Sequence, residues 1–240
     1  FFFQAEDGIR AVERSRGLGD VYKRQVVDNF RVDAQTRECR VWILDRPGSV
    51  QSEVRVGHVG VARTTPNYLP LSIGNLLLGG TFTSRLNLNL RERNGFTYGV
   101  RSRFSFRSQP GPFQVSTAVG NEVTASAVRE IISELESLVV DGATREEVDA
   151  ARDYAAGVFG LHLETASQIA SRLNQVLVYG LPDDYYHLYR DNIRSVSTGE
   201  VTSAIKEHIR PDEVQVIIVG DAESILGSVD ALGLGPLEVV

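Results

Sequence analysis

The chain alternates before it coils. Its first structured half shows strands with a two-residue period, and its second half shows helices with apolar residues three and four apart. Val26 to Val32 alternates loosely, and Cys39 to Leu44 is β-branched and aromatic. The turn signal Asp45-Arg46-Pro47-Gly48 closes that run. Gln51 to Ala62 alternates again, with Val54, Val56 and His58 on one face. Thr64-Thr65-Pro66 then predicts a helix start. Tyr68, Leu69, Leu71, Ile73, Leu76 and Leu77 give that helix a broad apolar surface, and Gly79-Gly80 predicts its end. A short helical segment is expected over residues 84–93. Tyr98 to Arg107 reads as a strand with Val100, Phe104 and Phe106 inward and Arg101, Arg103 and Arg107 outward. Gln109-Pro110-Gly111-Pro112 turns it into a return strand of Phe113, Val115, Thr117 and Val119, so the pair is a hairpin.

Helical spacing takes over at Thr124, where Val128, Ile131, Ile132, Leu135, Leu138 and Val139 share a face as far as Asp141-Gly142. Thr144 and Glu147 form a capping-box signature for a long helix over about 145–163. Thr165 and Gln168 form a second, opening a helix to Tyr179-Gly180. Shorter helices are expected over 183–193 and 199–209. Glu213 to Val219 is a buried strand closed by Gly220-Asp221, followed by a short helix and a glycine-containing tail. Strands and a hairpin, then helices, then one returning strand argue an α+β fold: two layers, a largely antiparallel sheet with helices packed on one face.

Residues 1–25 lack either period. They resemble translated sequencing-adapter sequence, so a non-native, disordered leader is expected there and one domain over 26–240. The absence of methionine and the initial Phe1 fit a fragment whose natural sequence continues upstream. The 240 residues suffice for one large core without covalent staples. A net charge of −6 argues against phosphate-backbone binding, so no nucleic-acid partner is expected. No apolar run is long enough to span a bilayer. Cys39, alone, rules out an intrachain disulfide.

Familiar catalytic signatures are missing. His58, His162, His187 and His208 show neither H-E-x-x-H nor H-x-x-E-H, and no metal site is expected in this chain. There is no phosphate-binding glycine loop and no G-x-S-x-G elbow. The densest chemistry lies in Asn75–Tyr98, NLLLGGTFTSRLNLNLRERNGFTY. Taken one at a time, the glycines read as a helix cap, the arginines Arg85, Arg91 and Arg93 as a solvated face, and Tyr98 as a core aromatic. Together they offer backbone donors, fixed positive charge and a phenol, a set able to hold an extended peptide and stabilise an oxyanion.

The pattern L-G-G-x-F-x-S-R-L-N…L-R-E…G-x-x-Y-G running through this stretch closely resembles the C-terminal half-domain of the insulinase/pitrilysin family of zinc metallopeptidases, which includes the mitochondrial processing peptidases and bacterial relatives. The resemblance covers about Phe30 to Gly220. It implies two related α+β halves closing around an unfolded peptide. Zinc is carried by the other half or by a homologous partner subunit, and this half supplies an Arg/Tyr pair. Arg91 and Tyr98 match that pair by motif and spacing. Gly79, Gly80, Thr81, Ser84 and Arg85 match a glycine-rich substrate-binding loop. The expected function is the substrate-binding, non-zinc half of a metalloendopeptidase, inactive by itself; the alternative is a structural subunit of the same family, like the respiratory-complex core proteins. Bacterial relatives imply a periplasmic or envelope location.

Overall fold

The computed structural model describes residues 38–240, so the expected leader over 1–25 and the strand over 26–32 lie outside the described residues. Six strands form one sheet: β1 (Arg40–Asp45), β2 (Gln51–Val59), β3 (Val100–Phe104), β4 (Pro112–Gly120), β5 (Gln215–Gly220) and β6 (Leu237–Val239). Their order across the sheet is β3-β4-β2-β5-β1-β6. The pairings β3/β4, β4/β2 and β2/β5 are antiparallel; β5/β1 and β1/β6 are parallel.

The expected alternation is visible in burial. Val54, Val56 and His58 of β2 point inward together with Val115 and Val119 of β4, Val216 and Ile218 of β5, and Val41 and Ile43 of β1. Glu53, Arg55, Arg101 and Arg103 stay on the open face. The helices are α1 (Tyr68–Asn75), α2 (Thr124–Asp141), α3 (Arg145–Val158), α4 (Ala166–Tyr179), α5 (Tyr189–Ser195), α6 (Thr198–His208) and α7 (Ala222–Asp230), and all but α4, which buries no residue, contribute to the core on the inner face. Leu71, Ile73, Ile131, Leu135, Leu138, Val201 and Ile205 are the helical half of a continuous core. Burying a side chain of that size contributes about 1.5–3 kcal/mol, which is why the apolar stripes rather than intrinsic propensity set the helix orientations. The structure is thus a two-layer α+β fold.

Two capping boxes close as expected. Thr144 accepts from the Glu147 N–H while Glu147 accepts from Thr144, and Thr165 and Gln168 do the same. Ser197 and Glu200 form a third box at the start of α6.

Four local expectations need correction. Helix α1 begins at Tyr68, not at Pro66, and carries Pro70 in its first turn, where a missing N–H removes no helical bond. Gly79 and Gly80 do not follow the helix end. They are the last residues of a widened π-type turn, Leu76–Gly80, continuing α1. Helix α3 ends at Val158, ahead of a 3₁₀ turn at Gly160–Leu163. The glycine-containing tail, for which no strand was expected, contributes β6: the Val41 N–H donates to Pro236 O and the Val240 N–H to Ile43 O, attaching the chain end to β1.

Candidate functional site

The site is built where α1 runs into the edge of the sheet. Strand β3 is an outermost strand, paired on one side by β4. Its other side is met by the widened turn Leu76–Gly80. Gly79 explains the approach: a Cβ there would lie 2.6 Å from the Ser102 amide nitrogen. Only a glycine lets the turn reach the strand this closely.

A loop of Thr81–Ser84 follows, then a second widened helical segment, Asn87–Arg93. Asn87 holds the three together from a buried position. Its Nδ2 donates to Thr81 O at 3.0 Å, Ser84 Oγ at 3.1 Å and Val100 O at 2.9 Å, while its Oδ1 accepts from the Val100 N–H at 3.1 Å. The side-chain amide thus occupies the place of a missing neighbour strand at Val100. π-type turns often accompany functional sites because they displace side chains from regular helical register; two of them flank this loop.

The predicted site residues separate into three groups. Gly79, Gly80, Thr81 and Tyr98 line one open cleft of about 740 Å³, together with Phe82 and Asn87. Tyr98 is 95% exposed and lies between the Asn87–Arg93 segment and β3, so its hydroxyl is engaged by no described residue. Phe82, also exposed, projects at the cleft wall.

Arg91 is not among the residues lining that cleft, but its guanidinium carbon lies 3.8 Å from the centroid of the Phe82 ring. The guanidinium thus packs on the face of a ring that lines the cleft. Its Nη1 lies 2.9 Å from Glu92 Oε1, off the line of an N–H, and makes no hydrogen bond.

Ser84 and Arg85 turn inward. Ser84 is 2% exposed and bonded to Asn87. Arg85 grips Glu147 at the start of α3, with Nε 2.5 Å from Oε1 and Nη2 2.7 Å from Oε2, and also donates to Gly142 O at 3.0 Å. The Glu147 carboxylate is held below the usual glutamate range chiefly by that bond, and Arg85 is raised by the same partner. Arg85 also lines a neighbouring cleft of about 580 Å³ that shares Thr81 and Phe82 with the first.

Three residues that shape the site were not singled out from sequence. Asn87 stands inside the glycine-rich motif, yet its partners are distributed from Thr81 to Val100. Glu147 signalled only a helix cap. Tyr154, exposed on α3, lines both clefts and had no sequence signal. Among the described residues, no group of three or more His, Cys, Asp or Glu side chains could hold a metal ion.

The description "Peptidase M16 inactive domain" matches residues 9–154. The chain belongs to that family. The glycine-rich loop and Arg91–Tyr98 spacing thus sit in a domain of the kind their motif suggested. An uncharacterized zinc protease of Mycobacterium bovis is 30% identical over 177 residues, 71% of this chain and 40% of that protein. The non-peptidase homolog YmxG of Helicobacter pylori is 30% identical over 151 residues, 60% of this chain and 34% of that protein. The chain therefore spans less than half the length of these curated relatives. Among solved structures, a peptidase M16 inactive domain from Pseudomonas fluorescens aligns with a TM-score of 0.72 and 25% identity, over 77% of this chain and 43% of that one. A chain of Complex III2 from Candida albicans shares the fold alone, with a TM-score of 0.65 at 12% identity over 79% of this chain and 48% of that one.

Proposed function

We propose that this M16 inactive domain is the substrate-binding, non-zinc half of a zinc metalloendopeptidase that cleaves unfolded peptides. Zinc resides in another half or a homologous partner subunit. The observation carrying the proposal is Tyr98: a phenol at 95% exposure, engaged by no described residue, at the mouth of a cleft whose other wall is the Gly79–Thr81 backbone. A peptide lying against Gly79, Gly80 and Thr81 brings a carbonyl to the Tyr98 hydroxyl, which donates to it and more strongly to the oxyanion that develops from it. Arg91 adds positive charge through Phe82. Ser84 and Arg85 act from beneath, fixing the loop that carries the glycines.

The relative named as a non-peptidase homolog supports a second reading, a structural subunit without activity. One experiment separates them. The full-length protein, or this chain with its zinc-bearing partner, is assayed on an unfolded protein with and without a chelator. Chelator-sensitive cleavage is expected, and Tyr98→Phe is expected to lower turnover by about 10²–10³-fold, the usual loss for one oxyanion donor, with an unchanged melting temperature. Undiminished turnover in Tyr98→Phe removes the tyrosine from the mechanism. No cleavage by the wild-type assembly establishes the structural reading.

A further inference from the structure

A second cleft, of about 530 Å³, lies behind the glycine turn and shares Asn75, Leu76, Gly80, Arg103 and Tyr154 with the Tyr98 cleft. Its lining includes Arg103, His162 and Arg172, and Arg101 lines the adjoining cleft. No Asp or Glu lines either one. In a chain of net charge −6 this local sign is opposite to the average. Arg103 and Arg172 make no ion pair among the described residues. Arg172 is instead steadied by the Tyr186 ring, its guanidinium carbon 5.6 Å from the centroid.

The wall is aromatic. Tyr68 meets Phe106 edge-on at 4.7 Å, and Phe159 stacks on Tyr189 at 4.6 Å. Behind that wall sits a further cation: Arg63 is 5% exposed, with its guanidinium carbon 3.4 Å from the Tyr68 centroid and Nη2 donating to the Tyr185 hydroxyl at 2.9 Å. Burial raises Tyr185, Tyr186 and Tyr189 above the ordinary phenol value, so these hydroxyls stay neutral donors and none balances the arginines. The cleft sets unpaired cations beside aromatic faces with no carboxylate among its lining residues, a combination that attracts a flat anion.

We infer that this cleft is a specificity pocket for a peptide carboxylate, bound by Arg103 and Arg172 against the aromatic wall, while the neighbouring backbone lies along Gly79–Thr81. The inference rests on the substrate-binding reading above and adds the class of peptide preferred: one carrying an acidic side chain, or ending, a short distance from the segment beside Tyr98.

Calorimetric titration of the full chain with four octapeptides tests it. Three have both ends blocked and differ only in one central Glu, Gln or Lys; the fourth has the Gln and a free C-terminal carboxylate. Because the cations are partly solvated, the gain from one carboxylate is expected at about fivefold in affinity over the neutral peptide. The Lys peptide is expected to be weakest. Arg103→Gln and Arg172→Gln should each erase the gain without changing the melting temperature, and Arg55→Gln, whose cation is paired with Glu53 and lines neither cleft, should not. A gain for the internal Glu identifies a side chain as ligand; a gain for the free end identifies the chain terminus; either supports the pocket. Equal binding of all four peptides, or a preference untouched by both variants, overturns the pocket and leaves the substrate-binding reading standing. Binding of none of them overturns both.

Discussion

At the scale of single residues, Asn87 ties together the loop, the helical segment and the edge strand that form the cleft. A carboxamide has two N–H donors, yet Nδ2 lies within hydrogen-bond distance of Thr81 O, Ser84 Oγ and Val100 O. One proton is therefore shared. The oxygen takes the Val100 N–H, so the edge strand, the loop and the helical segment converge on one buried amide. Asn87→Ala leaves both backbone groups of Val100 without their protein partners and the carbonyl of Thr81 with only the Ser84 N–H, at 3.3 Å. The expected loss is about 2–3 kcal/mol, read as a lower urea midpoint at unchanged slope. A loss below about 0.5 kcal/mol would mean that water replaces the amide and that the loop does not depend on it.

At the scale of elements, the loop is anchored to the start of α3. Glu147 accepts the Thr144 N–H at 2.8 Å as the third residue of the helix, and with the same carboxylate receives the fork of Arg85. A helix N-terminus favours negative charge, so one residue caps α3 and fixes the Thr81–Arg85 loop to it. Glu147→Gln keeps the shape and removes the charge, with an expected loss of about 1–2 kcal/mol. The group's pKa is depressed in the folded state, so its contribution is complete above the ordinary glutamate range and fades as pH falls through the folded value. Wild type and Glu147→Gln should therefore differ in urea stability near neutrality and converge in acid; parallel curves would show that the pairing contributes nothing. This lock also shows what sequence can convey. The cap was legible because Thr144 and Glu147 are three residues apart; its bond to Arg85 spans 62 residues and has no local signature. The β3/β4 hairpin was legible from alternation over adjacent segments. Strand β6 was not, because its parallel pairing with β1 joins the two ends of the described chain. The widened turns were invisible for another reason: apolar residues three and four apart fit α and π winding alike. Gly79, Gly80, Thr81 and Tyr98 share one cleft, whereas the bonds of Ser84 to Asn87 and of Arg85 to Glu147 have no signature in the motif.

At the scale of the whole molecule, the sheet and the helical layer are joined by a histidine in a single proton state. His58, at the end of β2, is buried with its ring 5.1 Å from that of Phe113. Nδ1 lies 2.9 Å from Val59 O, which can only accept, so Nδ1 carries the proton. Nε2 then accepts the Arg210 N–H at 3.1 Å, connecting β2 to the segment between α6 and β5. Protonating Nε2 would set one donor against another, in a burial site that already disfavours charge. Burial is the main reason its pKa falls to about 4; the Val59 carbonyl and Asp212 oppose the shift, while Arg210 and His208 reinforce it. His208 is lowered too, again by burial. The unfolded chain binds a proton at an ordinary histidine pKa near ~6.5, and the folded chain does not until about pH 4. Between those limits the unfolded state holds more protons, so stability rises with pH there and falls on acidification. The loss assigned to His58 is on the order of 2–3 kcal/mol across the window, and below it this group contributes no further slope. Urea titrations of wild type and His58→Gln at intervals from about pH 7 to about pH 4 should show a steep acid loss in the first and a shallower one in the second, with the His208 share common to both. Equal slopes would mean that the ring escapes its site and protonates in the folded state, and the junction between the layers would then be looser than Phe113 and Arg210 make it.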